Sequence, residues 1–205
     1  MIDRARHWDD CYRAVDADQL SWFRSEPGAS LALIDRLGVG PDASVIDVGG
    51  GDSVLVDRLV SRGFTDVTVL DLSQVALDAA RDRVGDAAHW LRADLLTWEP
   101  PRRWDLWHDR AAFHFLTEPA DQATYRRLAT SAVKPGGHLL LATFAADGPD
   151  TCSGLPVERY APDRLAATID GGFDLTLSQR EEHVTPSGAV QPFTWAAFQR
   201  VPSSS

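Results

Sequence analysis

The apolar positions of the chain change period several times. Val45, Ile46 and Val48 make a β-branched run around Asp47; Gly49-Gly50-Gly51 carry no side chain, and from Ser53 to Leu59 apolar residues return at helical spacing. The pattern predicts a strand, a sharp turn and a helix start. It then repeats. Asp66 to Leu70 predicts a second strand ending at Asp71, Gln74 to Val84 an amphipathic helix, and His89 to Ala93 a third strand followed by Asp94. Trp104 to Trp107 predicts a fourth strand, with His108-Asp109-Arg110 just past its end and His114 one turn into a helical stretch over 111–117. Gln122 to Val133 reads as a helix stopped by Lys134-Pro135-Gly136-Gly137, His138 to Phe144 as a buried fifth strand, and Pro162 to Ile169 as the last helix. Phe173 to Val184 and Gln191 to Val201 flank Thr185-Pro186-Ser187-Gly188, and strands joined so tightly must run antiparallel. Ahead of all this, Pro27-Gly28 breaks an aromatic-rich segment, and Ser30 is placed to cap a helix over Leu31 to Leu37.

Strands alternating with helices predict an α/β sheet whose strands are parallel until the closing hairpin. The 205 residues suffice for one domain with a full core. The division expected is a helical cap segment over 1–43, a main body over 44–201 and a disordered tail over 202–205. Twenty Lys and Arg against 30 Asp and Glu give a net charge of −10, which argues against a nucleic-acid partner. Cys11 and Cys152 lie too far apart in sequence to suggest a disulfide framework or a thiol metal site, and no metal is expected. A charged amino terminus and the lack of any membrane-length apolar run predict a cytoplasmic chain that does not engage a membrane. Oligomeric state is not legible.

The glycine run carries the first chemical signal. Bare backbone lets a ligand approach the main chain, and the first N–H groups of the following helix lack internal partners. No lysine follows, so this is not a phosphate loop, and Val54 stands where a dinucleotide fingerprint needs its third glycine. Asp47 would repel a phosphate but suits an ammonium group. Asp71 falls 22 residues after Gly49, where a carboxylate accepts from ribose hydroxyls; its other reading is a helix cap, a job Ser73 also offers. Trp22 and the His7-Trp8-x-x-x-Tyr12 pattern either close over a ligand or pack outside the sheet.

Asp47-x-Gly49-x-Gly51 resembles the acid-x-Gly-x-Gly-x-Gly motif of the class I S-adenosylmethionine-dependent methyltransferases, with Ser53 in place of the last glycine. Asp71, Asp94, the Lys-Pro-Gly-Gly turn and the terminal hairpin follow in that family's order. The resemblance implies a Rossmann-like doubly wound seven-stranded sheet, mostly parallel with an antiparallel carboxyl-terminal hairpin. It implies S-adenosylmethionine as cofactor, left as S-adenosylhomocysteine. The binding set it implies is Asp47, Gly49, Gly50, Gly51, Asp71, Leu72, Asp94 and Leu95, with Trp22 and His108 beside it; Asp94 would accept from the adenine amine. Trp107-x-Asp109-Arg110-Ala111 is similar to the corresponding strand end of thiol methyltransferases. That implies a small-molecule thiol, amine or hydroxyl acceptor, with His108, Asp109 and His114 as candidate catalytic residues. Asp109-Arg110 is also readable as an ion pair supporting the loop. The alternatives are a protein-lysine methyltransferase or a binding module that transfers nothing. His183 and Cys152 are outlying candidates for the cleft.

Overall fold

The computed structural model describes residues 3–201, so the expected tail at 202–205 lies outside the described residues. The fold is one seven-stranded, mostly parallel sheet with an antiparallel edge hairpin, and the chain divides into two compact units.

The first unit comprises the residues up to 94 together with 184–189. It opens with α1 (Arg4–Ala14), whose first turn is closed by Asp3, the side chain accepting from Arg6 N at 3.1 Å. Next come α2 (Gly28–Arg36), β1 (Val45–Val48), α3 (Leu55–Ser61), β2 (Val67–Asp71), α4 (Gln74–Val84) and β3 (His89–Arg92). β1 pairs in parallel with β2, Asp47 opposite Val69, and β2 with β3, Asp71 opposite Arg92. Every residue of β1 and β2 is buried, as expected of strands covered on both faces. Ser30 is corrected: it lies buried inside α2, with Pro27 at the cap position, because the helix starts three residues earlier than its apolar stripe.

The second unit holds β4 (Trp104–Arg110), α5 (Pro119–Ala132), β5 (Val133–Phe144), α6 (Pro162–Ile169), β8 (Phe173–Val184) and β9 (Val190–Arg200). A short antiparallel pair, β6 (Thr151–Cys152) and β7 (Leu155–Pro156), sits between β5 and α6. β4 runs parallel to β5, and β5 runs antiparallel to β9, with Leu141 opposite Ala196. Hydrogen-bonded order through the sheet is β3-β2-β1-β4-β5-β9-β8.

Three expectations change here. β4 does not stop at Trp107: His108, Asp109 and Arg110 stay in the ladder opposite Leu140, Leu141 and Ala142, because the pairing to β5 continues. β5 begins at Val133, so Lys134-Pro-Gly-Gly137 is an irregular strand entry whose register shifts between Trp104 and Leu106. There Gly137 is required, since a Cβ would stand 2.7 Å from the Asp105 carbonyl oxygen. Residues 113–115 form a single 3-10 turn, too short for the helical wall expected over 111–117. Among the described residues, no helix is long and apolar enough to cross a membrane.

Candidate functional site

In the first unit the glycine run leaves β1 by bending back over β2. Gly49 and Gly51 take φ of 65° and 50°, left-handed values that side chains disfavour. Gly49 N donates to Leu70 O at 2.7 Å. A Cβ on Gly50 would stand 2.6 Å from Asp47 Oδ2, and one on Gly51 would strike the Tyr12 hydroxyl and lie 3.3 Å from Asp71 Oδ2. The glycines are therefore needed by the protein itself, to bring the loop against Asp47, Asp71 and Tyr12.

Ser53, at the motif's missing glycine, has a local task. Its hydroxyl accepts from Leu55 N at 3.1 Å, and its amide donates to Gly50 O at 2.9 Å, closing the turn into α3. Arg83, in the last turn of α4, pairs with Asp52 and with Asp57 and donates to the carbonyls of Asp52 and Ser53, both at 3.2 Å. It braces the far end of the loop from a helix no motif connects to it.

Asp71 is buried, and Oδ1 accepts from Ser73 N at 2.7 Å. Burial pushes its carboxyl up to about 6, opposed by the amides of Ser73 and Leu72 and then by that of Gly51, with the Asp47 charge adding to the rise. Ser73, by contrast, caps α4 by accepting from Ala76 N at 3.2 Å. Of the two residues offered for the helix cap, Ser73 takes that role, and Asp71 Oδ2 lies toward Gly51. Leu72 and Leu95 are half-buried, and Asp94, just past β3, pairs with Arg4 at 3.6 Å.

Aromatic residues of the amino-terminal segment gather on this loop. Trp22 meets Trp8 and Tyr12 edge-on, with ring centroids 6.0 and 5.8 Å apart. Burial, then the charges of Asp71 and Asp52, hold the Tyr12 hydroxyl well above its ordinary titration range, so it stays a donor. α1 is pinned by Asp9, which accepts from Ser73 Oγ at 2.7 Å and Val75 N at 3.3 Å. The sequence named the Trp and Tyr pattern; it gave no signal for Asp9 or Arg83, whose partners lie 64 and 31 residues away.

The second unit carries the other candidates. Asp109 is fully buried: Oδ1 accepts from Ala112 N at 2.9 Å and Phe113 N at 3.2 Å, and Oδ2 from the Tyr125 hydroxyl at 2.6 Å. Burial pushes its carboxyl up to about 6 against those donors. Ala111 beside it has φ of 70°, so the carboxylate holds a turn that the backbone resists. His108 is buried, its ring tilted 6.0 Å from that of Trp195.

His114 is also fully buried, and its Nδ1 accepts from Phe144 N at 3.4 Å, which places the proton on Nε2. Burial, then the nearby Arg110 charge, lowers its pKa to about 3. Neither nitrogen is available to take up a proton at neutral pH. His183 is buried 6.2 Å from the Phe193 ring, and Cys152 is half-buried in β6. Among the described residues, no group of three or more His, Cys, Asp or Glu side chains is placed to hold a metal.

Comparison with known proteins gives these arrangements a context. The methyltransferase domain family matches residues 45–137. An uncharacterized methyltransferase of Mycobacterium tuberculosis is 35% identical over 115 residues, 55% of this chain and 56% of that protein, so the match spans little over half the relative's length. The probable thiol methyltransferase 2 of Arabidopsis thaliana is 23% identical over 185 residues, 87% of this chain and 80% of that one. Among solved structures, the Burkholderia thailandensis 1,6-didemethyltoxoflavin-N1-methyltransferase, with 1,6-didemethyltoxoflavin and S-adenosylhomocysteine bound, superimposes with a TM-score of 0.71 at 19% identity, covering 97% of this chain and 85% of that one.

Proposed function

We propose, from the match of residues 45–137 to the methyltransferase domain family, that this protein is a class I S-adenosylmethionine-dependent methyltransferase that moves a methyl group from that cofactor to a small-molecule thiol, amine or hydroxyl by in-line displacement. The observation that carries this reading is the buried Asp71 carboxylate set beside the bare α-carbon of Gly51, with the Tyr12 hydroxyl against the same glycine.

These residues suit the cofactor by their chemistry. Asp71 is the acceptor for the ribose hydroxyls, and Asp94 for the adenine amine, with Leu72 and Leu95 as apolar contacts of the ring. Asp47 at the end of β1 offers its charge to the ammonium end, Gly49 to Gly51 admit the chain to the backbone, and Tyr12 supplies a hydroxyl donor beside Trp22. When bound, S-adenosylmethionine supplies a methyl carbon already activated by a positive sulfur. What remains for the chain is to position a nucleophile and exclude water.

On this reading the expected catalytic residues act by positioning. Asp109 has both carboxylate oxygens committed to the 109–113 turn and Tyr125, which supports a role in positioning the wall of the acceptor site. His114 is no base, since Nδ1 is occupied and Nε2 carries the proton. The nucleophile must therefore bring its own lone pair. A thiol, with an unperturbed pKa of about 8.5, does this more readily than an alcohol. We take His108 as part of the acceptor wall, a reading that its position on β4 supports.

Tritiated methyl transfer to a panel of thiols, amines and phenols, run beside a cell extract, tests the reading. Label in small thiols is expected. Label confined to protein bands overturns the small-molecule acceptor in favour of a protein-lysine target, and binding of the cofactor with no transfer to anything leaves a non-catalytic binding module.

A further inference from the structure

Resting on the cofactor reading above, we infer that Arg83 is a positioning residue for S-adenosylmethionine: from α4 it holds Asp52 and Ser53, so that the glycine loop stands in its binding conformation before the cofactor arrives.

The need arises from the loop's own residues. Gly49-Gly50-Gly51 has no Cβ to restrict its backbone, so the unliganded loop has more conformational freedom to lose than other residues would bring. Its first half is tied to β2, with the amides of Gly49 and Gly50 donating to Leu70 O at 2.7 and 3.4 Å. The Gly51 amide is bonded to Asp71. Past Gly51 the strand pairing is over, and α3 does not begin until Leu55. Residues 52–54 are the interval that has to be held by something else.

Arg83 fills that interval. Its Nη2 donates to the carbonyls of Asp52 and Ser53, each at 3.2 Å, and its Nη1 pairs with the Asp52 carboxylate. Nε and Nη2 reach on to the two carboxylate oxygens of Asp57 in the first turn of α3, again at 3.2 Å. A planar fork spans these groups at once, whereas the ammonium of a lysine is a point charge and does not. On its other side Asp52 is met by α1, whose Tyr12 hydroxyl takes a hydrogen bond from the Asp52 amide. Two helices thus grip the residue next to Gly51, where a Cβ would lie 3.3 Å from Asp71 Oδ2.

Fold stability is the weaker reason for this arrangement. The Arg83 side chain is 33% exposed, and ion pairs this open to water add little to stability. Held geometry is the stronger reason. A loop ordered in advance removes the ordering cost from the binding step, so the gain appears as cofactor affinity. Ser53 fits the same logic: at the motif's last glycine position its carbonyl is held by Arg83 and its hydroxyl by Leu55 N at 3.1 Å, so a residue with a side chain is fixed at both polar ends.

The test compares Arg83→Gln, Arg83→Lys and Asp57→Asn with wild type in the full chain, reading S-adenosylhomocysteine affinity by calorimetry and loop order by amide hydrogen exchange. Both Arg83 variants are expected to bind about tenfold more weakly or worse, since Lys keeps the charge and loses the fork. Without ligand, the amides of 51–53 should exchange about tenfold faster than in wild type while those inside α4 keep their protection, and saturation with S-adenosylhomocysteine should restore the loop. Asp57→Asn takes a charge from α3 and leaves the loop contacts, so its affinity should stay within about threefold of wild type. Wild-type affinity in either Arg83 variant, unchanged exchange at 51–53, or unfolding of both Arg83 variants overturns the inference. So does a loss in Asp57→Asn as large as that in Arg83→Gln, which would make Arg83 a general support of α3 on α4. A wild-type protein that does not bind S-adenosylhomocysteine removes the cofactor reading and this inference together, whereas wild-type binding with unaffected Arg83 variants removes the inference alone.

Discussion

The Tyr125 hydroxyl donates to Asp109 Oδ2 at 2.6 Å while accepting from Trp107 Nε1 at 2.9 Å, so one phenol on α5 joins two residues of β4 in a buried chain. Tyr125→Phe removes the middle of that chain and leaves an indole N–H and a carboxylate oxygen unsatisfied. A loss of about 1–3 kcal/mol in urea unfolding is expected. Turnover should fall with it, because the 109–113 turn loosens. Asp109→Asn should likewise lower turnover more than S-adenosylhomocysteine affinity; the reverse split would move Asp109 to the cofactor site.

Asp71→Ala should weaken S-adenosylhomocysteine binding by about 1–3 kcal/mol in calorimetry, the usual cost of unsatisfied hydroxyl contacts. The wild-type affinity should also depend on pH. The carboxylate is the form that accepts from hydroxyls, and burial raises its pKa to about 6, so affinity should fall as pH drops through that value. Asp71→Asn should flatten the profile. A wild-type affinity unchanged between pH 7.5 and 5 would remove the ribose assignment.

Gly51→Ala places a methyl group against the Tyr12 hydroxyl on a backbone with φ of 50°. Cofactor binding should be lost beyond the cost of about 1 kcal/mol for a non-glycine residue in the left-handed region. Tyr12→Phe in the same chain should recover part of it by removing the oxygen in the way. A double-mutant cycle reads the coupling, and strict additivity would show that the two residues do not meet in solution.

His114 leaves a mark on acid stability. Its folded pKa of about 3 lies below the ordinary value of 6.5, so the unfolded chain binds the proton first. The stability it contributes is complete above pH 6.5 and is lost as pH falls toward 3, with a limiting slope of about 1.4 kcal/mol per pH unit. Asp71 and Asp109, raised to about 6, act in the opposite sense, their contribution fading as pH rises through that value. The difference between wild type and His114→Gln isolates the histidine. Urea unfolding at pH 5 and 7.5 should show the wild type losing more stability at the lower pH than the variant does.

Much of this protein can be read from residue order alone, because strands, turns and helices are set by neighbours. The β-branched run at 45–48, the glycines after it, and the Thr185 to Gly188 turn state their conformations locally, so the α/β class, the glycine loop and the closing hairpin follow from the sequence. Asp71 is legible for the same reason, as the acid that ends an apolar run. The length of β4 is not, since it depends on how far β5 stays beside it. Nor is the work of Asp109 and His114. Both are polar residues following the apolar run of β4, and only packing shows that one is consumed by a turn and Tyr125 while the other satisfies Phe144. Arg83 and Asp9 were silent for a related reason: a side chain's charge is written in the sequence, but its partner is chosen by the path of the backbone through space.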